Sequence, residues 1–572
     1  MLFRSNMANW TNVLSLLEGQ TNNYGEKIAL AIKTKLGWKE FSYKGLGLLT
    51  RKLAYYLIND LQVKKGERLA ILSESKPEIG ACVFASVISG MVTVPLDNKL
   101  TIFELTSILS DCNPTVLMVS QSYIDKALEL KNKIESLKTI IVVDEPTYNL
   151  GLPSLYTLPD NYDCKWKHRA TKSTALIIYT SGTTGSPKGV EISFKNLLSQ
   201  LNDLKEPLKR LFPDYKKIAT SAESINVLSI LPMNHLFELT VGFFTFLNFG
   251  FSVYYAQSLK PKDILSIMKE KKIAFMIVVP AFLKLLKMSI EAELKNLPKA
   301  QQNAFKAMYA IAKYMPINVR RKMFKKIHDK FGGYFTQCIS GGAPLDVSVA
   351  EFFDRLGVII YQGYGLTETS PVVSVNMGDM KHMSSVGRAL PSYEVKIDKE
   401  SGELLLRSDC VMKGYYNQPE LTASVIDEDN WFHTGDIATL DKEKNIYITG
   451  RIKNMIVLNG GKKVFPEEVE TVLEKSEYFA EVCVMGTSRT FGAKDGTEDI
   501  MAVVVPKDEI IKRFEGDDSG LNSFIRAEVK NLSTQLTMYK RPNNVVVLKD
   551  PLPKTTTRKV KRKDVKELVL SM

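Results

Sequence analysis

Residues 177–197, IIYTSGTTGSPKGVEISFKNL, decide how the chain is read. The apolar run at 176–179 has the composition of a buried strand. It leads directly into Thr180, Ser181, Gly182, Thr183, Thr184, Gly185, Ser186, Pro187, Lys188 and Gly189. Glycines let backbone N–H groups close around an anion, while hydroxyls and one lysine add donors. Together they suit a polyphosphate. This is not a Walker loop, because Pro187 precedes Lys188 and neither Ser nor Thr follows it. A flexible Ser/Gly linker is the plain alternative, but the loop lies directly behind a buried strand.

Outward from this loop, helix and strand alternate. ERLAILS (67–73) reads as a strand, KPEIGACVFASVISG as a helix and VTVPL as the next strand. TIFELTSILSDC is helical, and TVLMVS and KTIIVVD are strands. This rhythm predicts an α/β chain: a large N-terminal domain (1–450) of mostly parallel sheets covered by helices. A boundary near Gly450–Lys453 sets off a small α+β domain, 451–572, with strands AEVCVMGT and DIMAVVVP. At 572 residues and 45% apolar content, there is ample material for two cores.

Two uncharged runs are weighed as membrane spans. Ile79–Leu96 reads as a packed helix leading into a strand. Leu239–Ser258 is long enough to span, but Asn248 and Gly250 interrupt it and FSVYYA reads as a strand. The segment 283–330 is helical and basic, carrying Lys306, Lys313, Arg320, Arg321, Lys322, Lys325, Lys326 and Lys330. Pro316 should split it. Phe305, Met308, Tyr309, Ile311, Ala312, Met323, Phe324 and Ile327 recur at helical spacing. Residues 306–330 are therefore either a solvated insertion with one packed face or a patch for a membrane surface or acidic partner. The net charge of +13 is compatible with either. Six scattered cysteines and the lack of a convincing signal-peptide core predict reduced thiols in a cytoplasmic protein, free or at the inner membrane face.

Further chemistry-bearing stretches follow in order: LPMNHLFE (231–238), ISGGAPL (339–345), YQGYGLTETSP (361–371), WFHTGDIA (431–438), GRIKNMI (450–456), GGKKVFPEEVE (460–470) and LPKTTTRK (552–559). Tyr364 offers a flat face for a purine, Thr367 a hydroxyl for a phosphate, and Glu368 a hard oxygen for Mg²⁺. Asp436 has the oxygens to accept from two ribose hydroxyls. In this order and from about Leu30 to Lys563, the chain resembles the acyl-activating, AMP-forming superfamily. That superfamily includes acyl-CoA synthetases, firefly luciferase and peptide-synthetase adenylation domains. The nearest resemblance is to bacterial long-chain fatty acyl-CoA ligases.

The resemblance implies joining of a carboxylic acid to the AMP part of ATP with Mg²⁺, then transfer to a thiol. It implies that His235 lines the acyl-carboxylate site, with a packed histidine as the plain alternative. Gly341, Gly342, Ala343, Tyr364 and Gly365 would face the adenine side. Arg451 would join Asp436 at the ribose, or else form a salt bridge at the domain boundary. Lys559 keeps the family spacing from Pro553 and would bridge carboxylate and α-phosphate, although Arg558 stands where the family usually has Gly. Lys554, Lys561 and Lys563 compete with it. The small domain would be mobile, pivoting at Lys453 to present Gly460 and Gly461 to the pantetheine of coenzyme A or of an acyl carrier protein. A fatty acid is the expected substrate, and nucleic acid is not an expected partner. Leu236, Phe237, Val241, Phe243 and Phe244 read equally as an acyl tunnel or as core.

Overall fold

The computed structural model describes residues 13–146, 151–163, 165–167, 169–180, 187–213, 224–458, 462–488, 498–554 and 560–572. They form two compact units. The first comprises Met1–Glu394 with Arg407–Phe432, and the second Val395–Leu406 with His433–Met572. Residue 450 lies inside the second unit.

Two large sheets organise the first unit. The seven-stranded sheet runs Gly414–Tyr415, Lys188–Ser193, Thr174–Thr180, Val92–Leu96, Arg68–Leu72, Val116–Val119, Thr139–Val142. From Thr174–Thr180 onward neighbours are parallel, and Lys188–Ser193 and Gly414–Tyr415 close the other edge antiparallel. Every residue of Val92–Leu96 is buried, as expected of a parallel strand covered on both faces. The helix Ile102–Cys112 starts at a capping box, Thr101 with Glu104, which satisfies its first N–H groups.

The nine-stranded sheet is parallel from Ile359–Tyr364 through Gln337–Ser340, Phe275–Val278, Asn226–Ser229 and Ser252–Tyr255 to Ile28–Thr34. Antiparallel strands cap both ends. Such a topology gathers the loops that follow the parallel strands, where α/β sheets carry their ligands.

The apolar run 239–258 is core. It forms a π-helical turn, Glu238–Thr245, a short helix, Phe246–Asn248, and the strand Ser252–Tyr255. Gly250 makes the turn at φ +75°, with the Tyr24 ring so close that a Cβ would sit 2.6 Å from it. Phe243 and Phe244 interlock with Phe84 at centroid distances of 5.2 and 5.6 Å. Leu236 and Val241 are buried as well, so all four side chains lie in the apolar interior. Among the described residues no helix is long and apolar enough to cross a membrane.

The basic segment is helical at Pro280–Lys295, Lys299–Ala312, Ile317–Met323 and Lys325–Lys330, and Pro316 makes the expected break. Phe305, Met308, Tyr309, Met323 and Ile327 pack on the core, whereas Ile311 is 51% exposed. Arg320 pairs with Asp354, and Arg321 donates to the Gly357 carbonyl at 2.9 Å. These two charges hold the insertion onto the helix Val347–Leu356 and its end. Lys325 pairs with Asp329 and Lys330 with Glu293.

The second unit has a four-stranded sheet, Glu394–Ile397, Glu403–Arg407, Phe432–Leu440 and Ile446–Arg451. A three-stranded sheet follows, Phe479–Ser488, Glu498–Pro506 and Asn544–Val547. The helices Pro466–Leu473 and Asp518–Leu532 share its apolar cluster.

Candidate active site

The phosphate-loop candidate is an antiparallel hairpin whose last described cross-strand pair is Thr180 with Lys188. Ser181, Gly182, Thr183, Thr184 and Gly185 lie outside the described residues. Gly189 follows Lys188 because a Cβ there would meet the Ile177 side chain at 2.9 Å and the Tyr179 ring at 3.2 Å. The Lys188 ammonium stands over the Tyr415 ring, 5.5 Å from its centroid.

Beside the hairpin, Thr367 and Glu368 sit on the single 3-10 turn Thr367–Thr369 after the strand Ile359–Tyr364. Leu366 N–H donates to the Thr369 hydroxyl at 2.9 Å, and Tyr393 O–H donates to the Thr369 carbonyl at 2.6 Å. Gly365 is forced by close approach, since a Cβ would lie 1.9 Å from the Pro371 carbonyl oxygen. The Tyr415 hydroxyl donates to Glu368 Oε1 at 2.9 Å, and Met412 N–H to the Glu368 carbonyl at 2.7 Å. Among the described residues Glu368 Oε2 takes no hydrogen bond. Burial, with the Glu368 charge second, pushes the Tyr415 hydroxyl far above its ordinary range. It stays a donor.

A third wall comes from the histidine loop. His235 and Phe237 precede the π-helical turn, and a Cβ on Gly341 would touch the Phe237 ring at 3.0 Å and the Gly363 carbonyl at 3.6 Å. The structure thus brings Phe237, Gly341 and Gly363 together. Gly342 takes φ +83°, a left-handed turn suited to glycine; Ala343 after it and Tyr364 at the end of the strand Ile359–Tyr364 are half-buried. Ser75 ties the loop down, accepting from Met233 N–H at 2.9 Å.

Within the second unit, Asp436 and Arg451 are opposite each other across a strand pair and form an ion pair at 2.7 Å. Asp436 is 2% exposed and its carboxylate is already oriented by Arg451. Glu403 shapes the same turn, accepting from Gly435 N–H at 2.7 Å and facing His433 Nδ1 at 3.0 Å. Lys453 is exposed on the turn Ile452–Asn454. Gly460, Gly461, Arg558 and Lys559 lie outside the described residues. The residues on either side of 555–559 form a stem: Lys554 bridges Val560, and Lys561 N–H donates to the Pro553 carbonyl at 2.9 Å. Arg562, half-buried, holds the stem by pairing with Glu470, reaching Glu467 at 3.2 Å and donating to the Val484 carbonyl at 2.8 Å.

Residues 17–416 match the AMP-binding enzyme family, and residues 468–559 match the AMP-binding enzyme C-terminal domain. The chain belongs to the AMP-binding enzyme family. Two of its relatives show the spread of the family. The long-chain-fatty-acid–CoA ligase of Salmonella typhimurium is 26% identical over 98% of this chain and 94% of its own. The luciferin 4-monooxygenase of Photuris pensylvanica is 25% identical over 88% and 86%. The ATP-bound structure of MatB from Rhodopseudomonas palustris has the same fold, with a TM-score of 0.75 at 24% identity, covering 98% and 99%.

Tyr415 and Glu403 were not singled out in the sequence. Each acts through a partner far along the chain, so no local pattern marks it. Their only sequence signal is a position at the edge of a motif, Tyr415 in GYY and Glu403 in GELLLR.

Proposed function

We propose that this chain activates a fatty acid to acyl-AMP with ATP and Mg²⁺ and then passes the acyl group to the thiol of coenzyme A. The observation that carries the reading is the meeting of Lys188 and Glu368 on Tyr415, one cation and one carboxylate at the edge of a phosphate hairpin. Glu368 fits a magnesium ligand: among the described residues one of its carboxylate oxygens takes no hydrogen bond. Mg²⁺ is commonly held by one or two carboxylates together with substrate phosphates. When bound there, it would neutralise phosphate charge.

The acid is already ionised near neutral pH, so its attack needs no base. Its oxygen bonds to the α-phosphorus, and the bond from that phosphorus to the bridging oxygen breaks, releasing pyrophosphate. What the chain supplies is placement and relief of anion–anion repulsion. In this reading Lys188 faces the phosphates, Thr367 the α-phosphate and His235 the acyl carboxylate. Tyr364 and Gly341–Ala343 border the adenine, Asp436 with Arg451 holds the ribose, and Lys559 bridges the two reacting anions. In the second step sulfur bonds to the acyl carbon and the acyl–oxygen bond to AMP breaks. The thiol proton goes to solvent. A pivot at Lys453 would exchange Lys559 for Gly460 and Gly461 between the two steps.

The relatives named as long-chain fatty acid ligases support the acid, and coenzyme A is their named acceptor. The net charge of +13 favours an acidic carrier protein as the competing acceptor. The test is pyrophosphate and thioester formation from ATP, Mg²⁺ and a panel of medium- to long-chain fatty acids. Each acid is run once with coenzyme A and once with acyl carrier protein. Thioester on coenzyme A is expected. No pyrophosphate with any acid refutes the reading, and thioester on carrier protein alone reverses the acceptor.

A further inference from the structure

Lys188 and Glu368 carry opposite charges on neighbouring elements and do not pair with each other. Among the described residues Lys188 has no carboxylate partner, and the side chain of Glu368 bonds to Tyr415. A direct ion pair would neutralise both groups and withdraw both from a ligand. Tyr415 stands between them instead. The ammonium lies over its ring, and its hydroxyl donates to one oxygen of the carboxylate.

The backbone around Tyr415 is built for this position. Gly414 and Tyr415 pair with Glu191 and Val190 of the hairpin strand. Tyr416 N–H donates to the Gly189 carbonyl at 2.7 Å, and Met412 N–H to the Glu368 carbonyl at 2.7 Å. One five-residue strap, 412–416, is therefore stitched to the strand that carries Lys188 and to the turn that carries Glu368. Gly414 takes φ +154°, with the Thr422 side chain 2.9 Å from where a Cβ would lie. The Thr422 hydroxyl accepts Tyr415 N–H at 2.8 Å. The ring is 8% exposed and has little freedom to leave.

We propose that Tyr415 is a positioning residue that keeps Lys188 and Glu368 apart, presenting the ammonium to a nucleotide polyphosphate and the second oxygen of Glu368 to the divalent cation that accompanies it. The proposal rests on the nucleotide-activating reading given above. The two halves of the side chain then have separable jobs: the hydroxyl serves the cation and the ring serves the phosphates.

Full-length protein is titrated with Mn²⁺ in the presence of a non-hydrolysable ATP analogue, with bound metal read by electron paramagnetic resonance. Nucleotide affinity is read by calorimetry at saturating Mg²⁺, and the melting temperature of every variant is recorded. Tyr415→Phe keeps the ring and is expected to raise the half-saturating Mn²⁺ concentration about tenfold, the scale of one hydrogen bond to a charged group. Its nucleotide affinity should change less than about twofold. Tyr415→Leu is expected to show the same metal defect and a further two- to fivefold loss of nucleotide affinity, the scale of a cation–π contact. In a Glu368→Gln background, Tyr415→Phe should have no further effect on Mn²⁺. An unchanged Mn²⁺ titration for Tyr415→Phe, or equal losses of metal and nucleotide in both variants, overturns the proposal. Wild-type protein that binds neither nucleotide nor Mn²⁺ overturns the parent reading as well. If Tyr415→Phe melts too early to titrate, Tyr415→His decides the matter. It restores a donor at the ring edge and must titrate closer to wild type than Tyr415→Leu does.

Discussion

Glu238 offers the sharpest test of the packing around the histidine loop. It opens the π-helical turn Glu238–Thr245 and is completely buried. A Cβ on Gly242 would lie 2.3 Å from its carboxyl oxygen, so the carboxyl lies against that glycine. Burial pushes its acid up from 4.5 to about 8, with the Ser229 hydroxyl pulling weakly the other way. At neutral pH Glu238 is therefore a neutral acid inside the core. The unfolded chain releases this proton near pH 4.5, whereas the folded chain keeps it to about pH 8. Between those values folding takes up a proton, so stability falls as pH rises, by up to about 1.4 kcal/mol per unit. Across the whole window the loss is roughly 5 kcal/mol. Glu238→Gln keeps the shape and removes the titration. Urea unfolding of both proteins at several values between pH 5 and pH 8 is the assay, followed through the first unit's transition. At pH 5 the variant should be no more stable than wild type. By pH 8 it should be the more stable by several kcal/mol, since the wild-type loss accumulates with each unit. Parallel pH dependences for the two proteins would refute both the neutral acid and the burial argument behind it.

The other outcomes concern the chemistry. Lys559→Ala should lower acyl-AMP formation by about a hundredfold or more, the scale of losing one preorganised charge contact, while supplied acyl-AMP still passes to the thiol. Rapid-quench assay of each half-reaction separates the two, and equal losses in both would count against the role. Asp436→Asn should erase most of the preference for ATP over 2′-deoxy-ATP, a ratio expected to be about tenfold in wild type because a hydrogen bond to a charged group is lost. Competition between the two nucleotides measures it, and an unchanged ratio would leave Asp436 as only the structural partner of Arg451.

Local pattern reached the architecture because the central strands, such as Val92–Leu96 and Phe275–Val278, are buried apolar runs bounded by turn residues, and the parallel centre of both sheets follows from that. The candidate site was legible where its residues are contiguous, as in the hairpin that carries Lys188 and in YGLTE. It was not legible where a partner comes from a distant element. Tyr415 reaches Glu368 across 47 positions and Glu403 reaches His433 across 30, separations at which spacing carries no signal. The basic segment has the packed face its apolar spacing predicts, but the partners of its arginines were not legible. Arg320 and Arg321 count as surface charge in a sequence, yet they bond to Asp354 and to the Gly357 carbonyl. Neutralising them would loosen packing before it tested any membrane contact. Lys306, Lys313, Lys322 and Lys326 are better choices, since none of the four has an ion pair among the described residues.

The same attention to partners bears on which C-terminal lysine acts. Lys554, Lys561 and Lys563 compete with Lys559 on sequence alone. Lys554 pairs with Glu481, Lys561 faces Asp564 at 3.5 Å, and Lys563 faces Glu567 at 3.9 Å. The last two are exposed pairs at helical spacing and worth little, so they weaken the competitors without excluding them. The stem is more decisive. Arg562 is fixed by Glu470, Glu467 and the Val484 carbonyl, and removing one partner of such a partly buried network is costly. Lys561 N–H is held by the Pro553 carbonyl and starts the helix Arg562–Leu570. A residue whose backbone is held in that stem is poorly suited to travel to a reacting centre, whereas position 559 falls in sequence between the bridged Lys554 and Val560. Lys561→Ala is therefore expected to leave both half-reactions near wild type, and a loss of acyl-AMP formation there instead of at Lys559 would move the register by two residues.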